Sequence, residues 1–203
     1  MRDSVIILGK KIQVLLNNGL NKNQLKMILI QYIPLFSLTS LIVVIDQVSK
    51  AWIRSNILLG QRIIPIDALG PFFGIVNWTN TGVAFGLFQN QGSLFTFLAI
   101  IVSIVIIYYF PSIAREDWPL RVALGLQLGG AIGNLIDRIL FGEVTDFISI
   151  GHFPVFNVAD SSISIGIVVL IFGFWMQDRH NKKLLTGNDN EIRLPKESSL
   201  DED

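Results

Sequence analysis

Cysteine is absent from the 203-residue chain, which excludes disulfides, thiolate metal sites and a cysteine nucleophile. Histidine is nearly absent, His152 and His180 being the two imidazoles, so any catalysis must rest on carboxylates, hydroxyls or lysine. Charge is sparse, at 16% of residues, and it is crowded into the two tails and a few short segments between apolar runs. What remains is apolar. With 51% hydrophobic residues and a mean hydropathy of +0.53, the chain carries more apolar surface than a soluble domain of this length hides in a core. A bilayer is the solvent that this composition fits.

Four segments approach the roughly 20 apolar residues that a helix needs to cross a hydrocarbon core about 30 Å thick. They are Ile28 to Trp52, Ser93 to Phe110, Pro119 to Leu140 and Val158 to Trp175. The expected fold is therefore an all-α membrane protein of four transmembrane helices. The second span, FTFLAIIVSIVIIYYF, is free of charge, whereas the third is interrupted by glycines and ends in Asp137 and Arg138. The 55–92 connection is long for a bundle loop. Its β-branched stretches RIIPI and GIVNW, followed by TGVAFGLF, predict a small extracytoplasmic β and half-helix element between spans one and two, a cradle over a site. Its aromatics Phe72, Phe73, Trp78, Phe85 and Phe88 suit the headgroup zone.

Basic residues fall on the segment before span one (Arg2, Lys10, Lys11, Lys22, Lys26), on the 111–121 connection (Arg115, Arg121) and on the tail (Arg179, Lys182, Lys183). The other connections hold Arg54, Arg62 and Arg138 alone. The positive-inside rule then predicts both termini in the cytosol. Residues 1–27 read as a cytosolic basic arm, not a secretory signal, because VIIL is too short and no small-residue cleavage site follows the next apolar run; Met27 is an alternative start. Residues 28–177 read as the membrane domain and 178–203, polar with an acidic end, as a disordered cytosolic tail.

That orientation gathers the membrane-proximal carboxylates at the outer leaflet. Asp46 lies ~12 Å below the outer end of span one at the helical rise, with Lys50 following at i+4 on the same face. Asp137 closes span three, Asp146 falls in the outer connection, and Asp160 stands at the entrance of span four. Ionisable groups in or beside spans are functional candidates by default. Each also has a structural reading: Asp46 with Lys50 as a self-satisfied ion pair, Asp137 with Arg138 as a stitch between helix ends. Asp160 fits a capping box, three residues after an N-cap Asn157, where the helix dipole favours an acid. Asp146, in the extended segment VTDFISI, has no such local role. Two neighbouring carboxylates share a proton, since like charges resist joint ionisation, and so offer one acid and one base near neutral pH. Such a pair activates water for peptide hydrolysis. A zinc site lacks HExxH-type spacing, with His152 the one nearby imidazole, and Ser161, Ser162 and Ser164 lack a base at readable spacing. No cofactor, metal or nucleic-acid partner is expected. A proton or cation relay built from Asp46, Lys50, Asp137 and Asp160 is the competing reading, and it leaves Asp146 without a role.

Five blocks stand in order: DQVSK (46–50), NWTNTGVAFG (77–86), GGAIGNLIDR (129–138), GEVTDF (142–147) and FNVADS (156–161). Together, over residues from about 30 to 178, the chain resembles the lipoprotein signal peptidases, or signal peptidase II. The resemblance implies an aspartyl protease of the bacterial cytoplasmic membrane. It implies substrates that are prolipoproteins, cut just before a cysteine already carrying a diacylglyceryl group, together with contact with membrane lipids and inhibition by globomycin-type compounds. Carried onto this chain, it makes Asp146 and Asp160 the catalytic dyad. Asp46, Lys50, Asn80, Asn134, Asp137, Arg138 and Asn157 become substrate-binding or site-shaping residues, with Asn80 near the substrate backbone and Arg138 on a substrate carbonyl or a neighbouring carboxylate. The chain departs from the family in its long basic arm and in the short thirteen-residue connection between the two aspartates, near His152.

Overall fold

The computed structural model describes residues 22–70, 72–81 and 91–192. Most of the basic arm, the TGVAFGLF segment from Gly82 onward with Phe85 and Phe88, and the end of the tail lie outside the described residues. Each apolar run of the sequence forms a helix: α1 (Lys22–Asn56), α2 (Gly92–Tyr109), α3 (Trp118–Phe141) and α4 (Val158–Ile192). Among the described residues, three short strands, β1 (Arg62–Ile63), β2 (Phe73–Asn80) and β3 (Val144–Ile150), and two 3-10 turns, Asp67–Leu69 and Phe110–Ser112, lie between the helices.

Three helical stretches are long and apolar enough to cross a membrane: residues 26–56, Gly92–Ser112 and Val158–Arg179. Their faces are mostly uncovered by protein, with Val48, Ile104, Val168 and Ile171 among the exposed apolar side chains, as helices solvated by lipid would be. The third of the four expected spans is different in kind. α3 is the interior helix, packed against α1, α2 and α4. Its glycines and its polar Arg121, Gln127 and Asn134 dilute its apolar content because its contacts are with other helices. Gly130 and Gly133 show why small residues are needed. A Cβ at Gly130 would collide with the carbonyl oxygen of Ala159 on α4, and one at Gly133 would come within 2.7 Å of the Asp46 carboxylate on α1.

The expected small sheet is present but is not confined to the 55–92 connection. Its order is β1-β2-β3, all antiparallel, and the third strand comes from between α3 and α4. Hydrogen bonds at 2.8 and 3.1 Å between Ile148 and Phe156 then fold the chain back toward the start of α4. Helix α3 ends at Gly142, whose φ of 79° is left-handed, the usual glycine position after a helix. At the far end of the molecule α4 runs on to Ile192, past Gln177 where a disordered tail was expected to begin. Residues such as Arg179, Lys182, Lys183 and Leu184 have good helix propensity, and extending a formed helix costs far less than nucleating one.

Candidate active site

Strand β3 owes its position to its two-residue side-chain period. Phe147, on one face, packs with Ile53 of α1 and with Ile57 just after it, and Thr145 on the same face accepts a hydrogen bond from Arg54 at 3.0 Å. Val144 and Asp146 therefore point the other way, into a cavity of about 490 Å3. Trp78 is the register partner of Asp146 across the sheet, so Asn80, two residues on, lies diagonally opposite on the same face. Its side-chain amide donates to Asp146 Oδ2 at 2.9 Å.

Asp160 enters the same cavity from the first turn of α4. The capping box is real: Asp160 N–H donates to Asn157 Oδ1 at 2.9 Å, and Asn157 N–H donates back to Asp160 Oδ2 at 3.3 Å. The Asn157 side chain also donates to Asp146 Oδ1 at 2.7 Å, so one residue holds both carboxylates. Asn134 of α3 donates to Asp160 Oδ1 at 2.7 Å. The cap and the carboxylate pair thus coexist in one residue, which the local pattern had set as alternatives. Burial, reinforced by the nearby charge of Asp160, pushes the Asp146 carboxyl up to about 7, against the pull of the Asn80 and Asn157 hydrogen bonds and the charge of Lys50. Arg138 lines the cavity too, close enough to feel both carboxylates, with its guanidinium 5.8 Å from the Phe95 ring centroid. The remaining wall is apolar, with Val155, Phe156, Ile163 and Ile165. Among the described residues no three of His, Asp and Glu are grouped as metal ligands would be.

Behind the cavity sits a second group of charges with no exposure at Asp46, Lys50 and Asp137. Lys50 Nζ donates to Asp46 at 2.8 Å, to Asp137 at 3.3 Å and to Asn134 Oδ1 at 2.9 Å, using all three of its protons. Gln47 spans the two acids, donating at 3.1 Å to each, and Arg54 approaches Asp137 at 3.6 Å. With Arg54 included, two positive charges balance two negative ones. Each of these acids also accepts a backbone N–H: Asp46 from Ala159 at 2.9 Å, Asp137 from Thr145 at 3.0 Å. Ala159 immediately precedes Asp160, and Thr145 immediately precedes Asp146. The buried ion cluster therefore pins the backbone one residue before each cavity carboxylate.

Comparison with known proteins gives the family. The family model described as signal peptidase (SPase) II matches residues 38–176, which include every block of the site. The chain belongs to the signal peptidase II family. Similar proteins include the lipoprotein signal peptidase of Shouchella clausii, 41% identical over 144 residues that cover 70% of this chain and 93% of that one. Another is that of Staphylococcus aureus, 36% identical over 156 residues, covering 75% and 90%. A bacterial membrane enzyme structure determined by the in meso method superposes with a TM-score of 0.63 at 32% identity, covering 82% of this chain and 94% of that one. Family membership makes the chain a peptidase, and its apolar helices and structural neighbours make it a membrane protein.

All nine residues singled out in the sequence meet in one region. Asp146, Asp160, Asn80, Asn134 and Arg138 line the cavity, Asn157 joins its two carboxylates, and Asp46, Lys50 and Asp137 form the cluster behind it. Gln47, Arg54 and Thr145 were missed. Gln47 stood inside the DQVSK block and Thr145 inside GEVTDF, so their blocks signalled them, but nothing local showed that both meet Asp137 on α3 or that Arg54 reaches Thr145 on β3.

Proposed function

We propose that this chain is an aspartyl endopeptidase that removes signal peptides from diacylglyceryl-modified prolipoproteins, cutting before the lipidated cysteine, with Asp146 and Asp160 as its catalytic dyad. The observation that carries the reading is that both carboxylates line one cavity and are bonded to the same asparagine, Asn157. With Arg138 as the cation in that cavity, one shared proton on the pair leaves the site neutral overall, the arrangement that low-dielectric surroundings favour.

In the reaction, the ionised carboxylate takes a proton from water while the protonated one donates to the scissile carbonyl oxygen, giving a tetrahedral diol. Its collapse breaks the C–N bond. The proton acquired from water passes to the leaving nitrogen, and a diol proton returns to the dyad. No covalent intermediate forms. Asn80 contacts substrate backbone near the lipidated cysteine, and Arg138 holds a substrate carbonyl. The apolar wall of Val155, Phe156, Ile163 and Ile165 suits an apolar portion of the substrate.

In this reading α3 is a fourth span, both termini are cytosolic, and the cavity opens at the outer leaflet of a bacterial cytoplasmic membrane. Residues 28–177 form the protease domain, flanked by a cytosolic arm and tail. Globomycin-type compounds inhibit it.

The test is to express Asp146→Asn and Asp160→Asn separately and follow cleavage of a diacylglyceryl-modified prolipoprotein at matched membrane levels. Each substitution is expected to lower the rate by at least about a hundredfold, the usual scale of acid–base catalysis. Normal processing by either variant would sink the dyad.

A further inference from the structure

A second cavity, of about 390 Å3, lies between the first halves of α1 and α3. Arg121 and Arg138 stand about 25 Å apart along α3 at the helical rise, so this cavity is at the opposite end of the helix from the carboxylates. Its walls include Pro34, Leu38 and Val122, and its rim carries Arg115, Arg121 and Trp118. Pocket volumes of roughly 300–1,000 Å3 are those that take small ligands.

The two charges that line the cavity, Arg115 and Arg121, are both positive, while the neighbouring acids Glu116 and Asp117 lie outside its lining. Arg121 Nη1 donates to the carbonyl of Ile113 and Nη2 to that of Gln31, each at 2.9 Å, and the guanidinium lies 4.1 Å from the Phe110 ring centroid. All three partners are neutral. Arg115 is exposed and has no hydrogen-bond or ion-pair partner among the described residues, and the two guanidiniums repel one another. Asp117 points to α4, accepting a hydrogen bond from Gln177 at 3.0 Å, and does not pair with either arginine. Trp118 is 57% exposed beside the arginines, the place an indole takes at a membrane interface.

We propose that this cavity binds an anionic phospholipid of the surrounding bilayer, with the phosphate between Arg115 and Arg121 and an acyl chain along Pro34, Leu38 and Val122. Both halves of the argument are needed. The guanidinium pair supplies donors suited to phosphate oxygens and is relieved of repulsion by an anion. The apolar wall selects an ion that carries hydrocarbon, and basic pockets between transmembrane helices are the kind that bind acidic headgroups. This inference is independent of the dyad, since none of its residues lines the carboxylate cavity.

Trp118 is a built-in probe. The full chain and Trp118→Phe are placed in vesicles containing phosphatidylglycerol or phosphatidylcholine brominated on the acyl chains near the carbonyl, and the difference in their fluorescence isolates Trp118. Phosphatidylglycerol at equal mole fraction is expected to quench Trp118 several-fold more strongly than phosphatidylcholine. Arg115→Gln should reduce that preference roughly fivefold, the effect of one basic residue at an anionic membrane surface, and Arg115→Lys should keep part of it. Millimolar inorganic phosphate should leave the quenching unchanged. Equal quenching by the two lipids, a preference that survives Arg115→Gln, or displacement by free phosphate would each overturn the proposal.

Discussion

Asp146 sits where its own ionisation is opposed. Burial and the charge of Asp160 raise its carboxyl from an ordinary value of 3.8 to about 7, while the amides of Asn80 and Asn157 partly hold the charge in place. Peptide hydrolysis that requires one protonated member of the pair is therefore expected to fall on the alkaline side of about pH 7, measured as kcat/KM against pH. Asn80→Ala removes a bond that favours the ionised form, so the alkaline limb should move up by about one unit, whatever the loss in rate. An unmoved limb would mean that another group sets it. The stability sign follows from the same shift. Between pH 3.8 and about 7 the native state binds more protons at Asp146 than the unfolded chain does, so this residue costs stability as pH rises through that window. Asp146→Asn should thus gain on the parent from pH 4.5 to pH 8 in thermal melts, by at most about 3 kcal/mol at roughly 1.4 kcal/mol per unit. The opposite trend would contradict the shift.

At the scale of elements, the carboxylates are precise because β3 and the start of α4 are tied to helices remote in sequence. Asp46 reaches Ala159 across 113 residues, and Lys50 reaches Asn134 across 84. Removing one partner from such a cluster leaves buried charge uncompensated, which costs about 3–5 kcal/mol. Lys50→Ala is expected to lose that much in detergent unfolding and to lose cleavage as the backbone before each aspartate is released. A stable, fully active Lys50→Ala would remove the cluster from any role in positioning. The helices, the ion pair at 46 and 50, the extended VTDFISI and the capping box were all legible in the sequence, because each is a short-range pattern of period, spacing or cap. The joining of β3 to the sheet, the extension of the ion pair to Asp137 and the reach of Asn157 to Asp146 were not, since each depends on which surfaces meet after the chain folds. Gly130 shows the boundary between the two kinds of knowledge. A glycine run on a span signals close packing, but only the fold identifies the carbonyl of Ala159 as the neighbour. Gly130→Ala should accordingly reduce cleavage by shifting α4 and Asp160 with it.

For the whole molecule, the decisive question is how α3 lies in the bilayer. Three helices are apolar enough to stand in lipid unaided, and α3 is wrapped by α1, α2 and α4, so most of its surface faces protein. A helix so enclosed does not need a continuous apolar surface to cross, because lipid never solvates most of it. If α3 spans, Ser112 before it and His152 after β3 lie on opposite faces of the membrane; if it does not, they share a face. Both residues are exposed, and the chain contains no cysteine of its own. Single Ser112→Cys and His152→Cys variants can therefore be labelled in intact cells with a membrane-impermeant maleimide without background from the protein. The His152→Cys thiol is expected to react directly, and the Ser112→Cys thiol only after the inner membrane is permeabilised. Ser55→Cys, exposed at the end of α1 that leads into the sheet, should behave like the His152 variant. Equal access to Ser112→Cys and His152→Cys would leave the molecule with three spans and would place the carboxylate cavity and the arginine-rimmed cavity on one side. That arrangement is incompatible with an α3 that carries Arg121 and Arg138 about 25 Å apart across the bilayer.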